Sequence, residues 1–170
     1  MKDRLAAARL LALIVPAALL AGAYFFEYVV GLYPCEMCWW QRYALFAALV
    51  PAVLAFVVPV GALRVWLVRL AALAILASGL IGGFHAGVEY GWWEGFTQCT
   101  ALKIEEGQSA LDAIMGAPTV RCDEVQWSLF GISMAGWNFL VSTLSAIAVL
   151  ALSARRSASL SAPGDVSRVG

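Results

Sequence analysis

Four apolar stretches divide the chain, at about Leu10–Val30, Trp39–Val60, Val65–Gly87 and Ile132–Ser153. Each is close to the ~20 residues that cross ~30 Å of hydrocarbon at a rise of 1.5 Å per residue. None shows strand-type alternation, so each is expected to satisfy its backbone within itself as a helix. The gaps between them are unequal. About Gly31–Cys38 is barely long enough to turn, with Pro34 suited to the first turn of the second helix. About Gly61–Arg64 is tight, which makes the second and third helices antiparallel neighbours. About Val88–Gly131 is long enough to hold parts of its own: Gln108–Met115 reads as a short helix ended by Gly116-Ala117-Pro118. Within the same gap, Val125–Phe130 reads as an amphipathic piece in the headgroup layer, with Trp127, Leu129 and Phe130 dipping inward. The Ser-rich stretch Ala154–Gly170 reads as a disordered tail. The expected fold is all-α, a polytopic membrane protein whose residues 1–153 form one four-transmembrane-helix bundle with a short and a long loop on the same side.

Composition supports this reading. Of 170 residues, 62% are hydrophobic and 13% charged, with mean hydropathy +0.83, too little polar surface to cover a soluble globule. The formal net charge is zero, yet the charge is polarised along the chain. Lys2, Arg4, Arg9, Arg64, Arg69, Arg155, Arg156 and Arg168 flank one side of the predicted spans; Arg42, Lys103 and Arg121 lie on the other, among Glu36, Glu89, Glu94, Glu105, Glu106, Asp112, Asp123 and Glu124. The basic side is expected to be cytoplasmic, with both termini inside and both loops outside. A cleavable signal, with basic Lys2–Arg9 and small Ala21-Gly22-Ala23, competes for the first segment. The apolar run through Tyr24-Phe25-Phe26 to Val30 suits a spanning helix better. No phosphate loop or basic nucleic-acid stripe is present, and no nucleic acid is expected as a partner.

All four cysteines, Cys35, Cys38, Cys99 and Cys122, fall on the outer side of this topology, where disulfides persist. Three pairings exist; the simplest resting state joins Cys35 to Cys38 and Cys99 to Cys122. A Cys35–Cys38 ring is too small to constrain much of the unfolded chain, so the CxxC makes a poor staple and a better redox pair. At the rim of a bilayer it meets both a water-borne protein and a lipid-dissolved electron carrier. Cys38 lies at a predicted helix N-terminus, with Arg42 four residues along the same face, and both favour a thiolate. The plainer readings are an Arg42 that snorkels to the interface, a zinc site, and two structural disulfides. A CxxC without a second close pair matches metal-ligand spacing poorly, so no metal is expected. Trp39 follows Cys38 where haem attachment needs His. The single histidine, His85, ends the third span at the expected depth of Cys38, either as a polar anchor or as a hydrogen-bond partner for a quinone carbonyl. Glu27 reads as a solvated rim residue. Trp39, Trp40, Trp92, Trp93 and Trp127 read mainly as an interfacial belt.

The run Pro34-Cys35-Glu36-Met37-Cys38-Trp39-Trp40-Gln41-Arg42, with His85 after the third span and Cys99 and Cys122 in a long second loop, resembles the disulfide bond formation protein B (DsbB) family. These are bacterial inner-membrane thiol oxidoreductases, and the likeness covers about residues 10–153. The resemblance implies that a reduced periplasmic oxidase of the DsbA type, a thioredoxin-fold protein, attacks Cys99. Cys122 would then exchange with Cys35, and Cys38 would pass electrons to ubiquinone, or to menaquinone in anaerobic life. Arg42 and His85 would hold the quinone beside Cys38. Glu36 departs from the apolar CxxC interior of well-studied members, and a carboxylate there disfavours neighbouring thiolates. Rival readings are a paralogue with one dedicated partner, a protein resembling the vitamin K epoxide reductase family, whose CxxC lies near a later helix, and a non-catalytic membrane scaffold with structural disulfides.

Overall fold

The computed structural model describes residues 2–59, 61–95 and 120–160. Cys99 and the expected helix Gln108–Met115 lie outside them. Helix α1 (Lys2–Phe25) continues into a π-helical turn (Phe26–Val30), followed by α2 (Glu36–Val57), α3 (Ala62–Glu89), a hairpin of β1 (Ser128–Leu129) and β2 (Ile132–Ser133), and α4 (Met134–Leu160). All four helices are long and apolar enough to cross a membrane, and the all-α bundle predicted from the apolar stretches is the fold. Helix α4 runs on through Ala154–Leu160, where Ser-rich composition suggested a disordered tail. That segment holds no Gly or Pro before Pro163, and without a breaker a helix already started continues cheaply.

In lipid, apolar surface gains little by leaving its surroundings, so helices associate where small residues let backbones approach. Helix α3 packs most extensively, against both α2 and α4, and α1 closes the bundle against α2 and α4. Its contact with α4 depends on missing side chains. A Cβ at Gly79 would lie 2.8 Å from Thr143 Oγ1; one at Gly82 would lie 2.9 Å from the Ala135 carbonyl oxygen; one at Gly83 would lie 2.8 Å from the Phe139 ring. One buried cluster joins Leu5, Ala8, Ala55, Val68 and Val149, and another joins Cys35, Met37, Val88 and Cys122. The start of α1 and the later part of α4 therefore meet at one end of the bundle, and Cys35, Cys38 and Cys122 collect at the other.

The segment expected as an amphipathic interfacial piece is an antiparallel hairpin, with Ser128 opposite Ser133 and Leu129 opposite Ile132. Phe130 (φ 54°) and Gly131 (φ 77°) form its turn, the pair of positive φ values that matches strand twist in two-residue hairpins. The Trp127 ring lies 4.8 Å from that of Phe26, and Leu129 and Phe130 are exposed. The Tyr90 hydroxyl fastens the hairpin to the end of α3, accepting from Ser133 N–H at 2.7 Å and donating to the Gly131 carbonyl at 3.1 Å.

Because the nearest neighbour of Gly82 is a backbone carbonyl that cannot swing away, Gly82→Val is expected to destabilise the bundle by about 1–3 kcal/mol, the usual cost of overpacking. Unfolding in mixed micelles with rising sodium dodecyl sulfate measures it; an unshifted midpoint would contradict the close α3–α4 approach.

Candidate active site

Cys35 is the N-cap of α2, with extended backbone (φ −77°, ψ 177°), and its sulfur accepts the Cys38 N–H at 3.3 Å. Pro34 therefore precedes the cap instead of sitting in the first turn, because the cysteine sulfur supplies the acceptor an N-cap needs. The two intervening residues form the first turn and bring Cys38 back over the cap, so the two sulfurs lie 3.0 Å apart. Three cysteine sulfurs, those of Cys35, Cys38 and Cys122, meet here, and the first pair touches where the expected resting state has a disulfide. Cys122 arrives from the segment ahead of the hairpin and is fully buried, with Cys35 Sγ, Cys122 Sγ and a ring nitrogen of His85 all within 4.8 Å of one another. Cys35 thus stands between a sulfur of its own helix turn and one delivered by the long loop. Hydrogen bonding to Cys122, then to Cys38, together with burial, holds the Cys35 thiol far above the ordinary cysteine range.

His85 is 2% exposed. Its Nε2 lies 3.6 Å from Cys35 Sγ and 3.8 Å from Glu89 Oε1, while Nδ1 lies 3.0 Å from Gln41 Nε2. Arg42 lies one turn beyond Cys38, donating to Glu27 and to the Ala23 carbonyl at 3.2 Å. Its guanidinium is flanked by the rings of Tyr24 at 4.9 Å and Trp39 at 5.0 Å. Glu27 was read as a solvated rim residue; instead its side chain is 10% exposed and paired with Arg42 at 7%. It lies in the π-helical turn, and turns of this kind re-aim side chains and recur at functional sites.

Between α1, α2 and α4 a cavity of about 350 Å³ opens, walled by Cys38, Gln41, Arg42 and Asn138 and by apolar groups including Phe26, Leu45, Trp127 and Met134. Cys38 and Arg42, singled out in the sequence, both reach it. His85 does not line it and stands behind Gln41. Sequence reasoning passed over Glu27's role, Gln41 and Asn138. The available signal was depth: Asn138 is the only asparagine of the chain and lies inside an apolar span, where a polar side chain is costly unless it has a task.

A four-helix membrane bundle that gathers three cysteine sulfurs and a histidine at one end, beside a cavity reached by one of the sulfurs, has the architecture of a membrane thiol–disulfide oxidoreductase. The profile of the family described as "Disulfide bond formation protein DsbB" matches residues 5–152. Similar proteins named "Disulfide bond formation protein B" include one from Verminephrobacter eiseniae, 35% identical over 93% of this chain and 93% of its own. Another, from Polaromonas sp., is 33% identical over 86% of this chain and 90% of its own. No solved structure matches the chain. The chain belongs to the DsbB family. It is a membrane oxidoreductase acting on protein disulfides in disulfide bond formation.

Two expectations follow from this geometry. The thiolate is the form that alkylates, and an ordinary thiol of pKa about 8.5 is fully ionised by about pH 10. The raised value at Cys35 keeps it protonated longer, so its iodoacetamide rate in the reduced protein, read by peptide mass spectrometry, should still be climbing at that pH; a plateau by pH 9 would refute the buried, thiol-flanked setting. Glu27→Ala would strand the Arg42 charge, and losing one partner of a buried pair costs about 3–5 kcal/mol. Detergent unfolding of this variant and of Glu27→Gln measures that loss, and wild-type stability in Glu27→Ala would mean the pair is solvated after all.

Proposed function

We propose that the protein reoxidises a periplasmic DsbA-type oxidase of thioredoxin fold and passes the electrons to ubiquinone. It would do so from the bacterial inner membrane, with both termini cytoplasmic and the four cysteines periplasmic. The observation that carries the reading is that Cys38 and Arg42 wall the same apolar cavity while Cys38 also touches Cys35, the neighbour of Cys122. One sulfur therefore faces a lipid-side compartment and stands in line with thiols fed from the long loop. The segregation of Arg4, Arg9, Arg64 and Arg69 from the cysteines supports the orientation.

The exchange balances as follows. A thiolate of the partner attacks Cys99 in a Cys99–Cys122 disulfide, forming a mixed disulfide and releasing Cys122 as thiolate. Cys122 then attacks Cys35 Sγ of a Cys35–Cys38 disulfide: the Cys35–Cys122 bond forms, the Cys35–Cys38 bond breaks, and the electron pair stays on Cys38 Sγ. The partner's second thiolate then attacks its own sulfur in the mixed disulfide and releases Cys99, which attacks Cys122, reforming Cys99–Cys122 and freeing Cys35 to pair again with Cys38; over a full cycle the partner's dithiol becomes a disulfide, giving up two electrons and two protons. A bound quinone would supply the sink for both, leaving as quinol.

The residues present fit such a headgroup. A cavity of about 350 Å³ is within the size of small-molecule pockets, and a mostly apolar wall with a few convergent polar groups is their usual composition. Arg42 spends two of its five donors on Glu27 and Ala23. Those remaining can orient an oxygen and stabilise negative charge on it.

The test is ubiquinone reduction by the purified protein in detergent, driven by a reduced DsbA-type oxidase. Wild type is expected to turn over, Cys38→Ser to lose turnover completely, and Arg42→Met to lose at least tenfold in kcat/KM for the quinone, about 1.4 kcal/mol of transition-state binding. A wild-type protein without turnover, its cysteines staying disulfide-bonded under the same reductant, would instead make it a scaffold.

A further inference from the structure

Cys35, His85 and Cys122 have the composition of a metal site, with donor atoms within 4.8 Å of one another. What the cluster does depends on where a neutral His85 carries its one hydrogen. A metal needs the Nε2 lone pair, whereas a thiolate needs the N–H.

Two backbone carbonyls decide this, because a carbonyl only accepts. Gln41 Nε2 lies 3.2 Å from the Met37 carbonyl oxygen, which makes that end of the side chain its NH2 group. Asn138 Nδ2 lies 3.2 Å from the Ser78 carbonyl oxygen, which fixes its amide in the same way. The two assignments agree: Asn138 Nδ2 donates to Gln41 Oε1 at 2.7 Å, and the Ser142 hydroxyl donates to Asn138 Oδ1 at 2.8 Å. Turning Gln41 over would set NH2 against NH2 and oxygen against the Met37 carbonyl. With Gln41 so held, its Nε2 also donates to His85 Nδ1 at 3.0 Å, and Nδ1 must present a lone pair. The ring hydrogen is left to Nε2, which faces acceptors: Cys35 Sγ at 3.6 Å and Glu89 Oε1 at 3.8 Å, with Cys38 Sγ a further 3.0 Å from Cys35 Sγ. Gln41, Ser78, His85, Asn138 and Ser142 are all at most 9% exposed, so water does not compete for these bonds.

We propose that Gln41 and Asn138 are positioning residues that lock His85 as the Nε2–H tautomer, making it the hydrogen-bond donor to the thiolate released when the Cys35–Cys38 disulfide opens, and not a metal ligand. This deepens the exchange reading and rests on it for the chemical step alone. When Cys122 attacks Cys35 and the electron pair moves onto Cys38 Sγ, the ring meets that sulfur with a charge-assisted N–H bond and keeps its proton. Gly82 is part of the device: a Cβ there would come within 3.0 Å of Asn138 Nδ2 and 3.2 Å of Gln41 Oε1.

The single histidine makes the tautomer directly readable. Full-length protein labelled with 15N-histidine, carrying a purification tag without histidine and reduced in detergent, gives one imidazole pattern in a long-range 1H–15N correlation spectrum. The expected result is a pyrrole-type Nε2 and a pyridine-type Nδ1. A pyrrole-type Nδ1, or two averaged nitrogens, would overturn the proposal on the wild-type spectrum, whether or not any variant folds. Gln41→Glu, whose carboxylate accepts, is expected to move the hydrogen onto Nδ1, and Asn138→Leu, which frees the Gln41 amide, to give a mixture. A folded Gln41→Glu protein with an unchanged spectrum would also overturn it. The Nε2–H tautomer without disulfide turnover would refute only the exchange reading; turnover with Nδ1–H would refute only this proposal.

Discussion

Hydrocarbon offers no hydrogen-bond partner, so every polar side chain placed within a span must find its partner inside the bundle. The cysteine end of this protein is organised by that constraint. Arg42 pairs with Glu27 of the π-helical turn and with the Ala23 carbonyl, joining α2 to the end of α1. Asn138 donates to both Gln41 and Ser78, joining α2, α3 and α4 at one level. These links cross the bundle where glycines of α3 allow the backbones close enough to make them. Further along, the cluster around Ala8, Ala55 and Val149 is apolar.

Pinned in this way, the site divides its sulfurs between a rigid and a delivered part. Cys35 and Cys38 are one turn of a single helix, and the distance between their sulfurs follows from cap geometry. Cys122 comes from a connecting segment, held by pairing of Arg121 with Asp123 and Glu124 and by the hairpin fastened to Tyr90. A redox relay needs such a division. The helix keeps one sulfur at the cavity wall, and the segment brings another to the partner of that sulfur.

The cavity and the sulfur cluster share a wall formed by Cys38 and Gln41. Cys38 touches Cys35 behind it, and Gln41 borders the cavity on one side and holds His85 on the other. That arrangement separates the roles of the two basic residues expected beside the quinone: Arg42 faces the cavity, and His85 faces the sulfurs.

By itself the sequence determined the number of helices, their approximate spans, the collection of Cys35, Cys38 and Cys122 toward one end and the spacing that sets Arg42 one helical turn beyond Cys38. These properties are local: apolar run length, charge bias at span ends and residue spacing along one helix do not depend on which helix lies beside which. It could not determine that Glu27 pairs with Arg42, that Val125–Phe130 leads into a hairpin, or that His85 does not line the cavity. Each of these depends on a neighbour distant in the chain, Arg42 for Glu27, Tyr90 for the hairpin and Asn138 for the orientation of Gln41. Only tertiary structure decided them, because the fate of a polar group in lipid is set by whichever partner packing brings within hydrogen-bond distance.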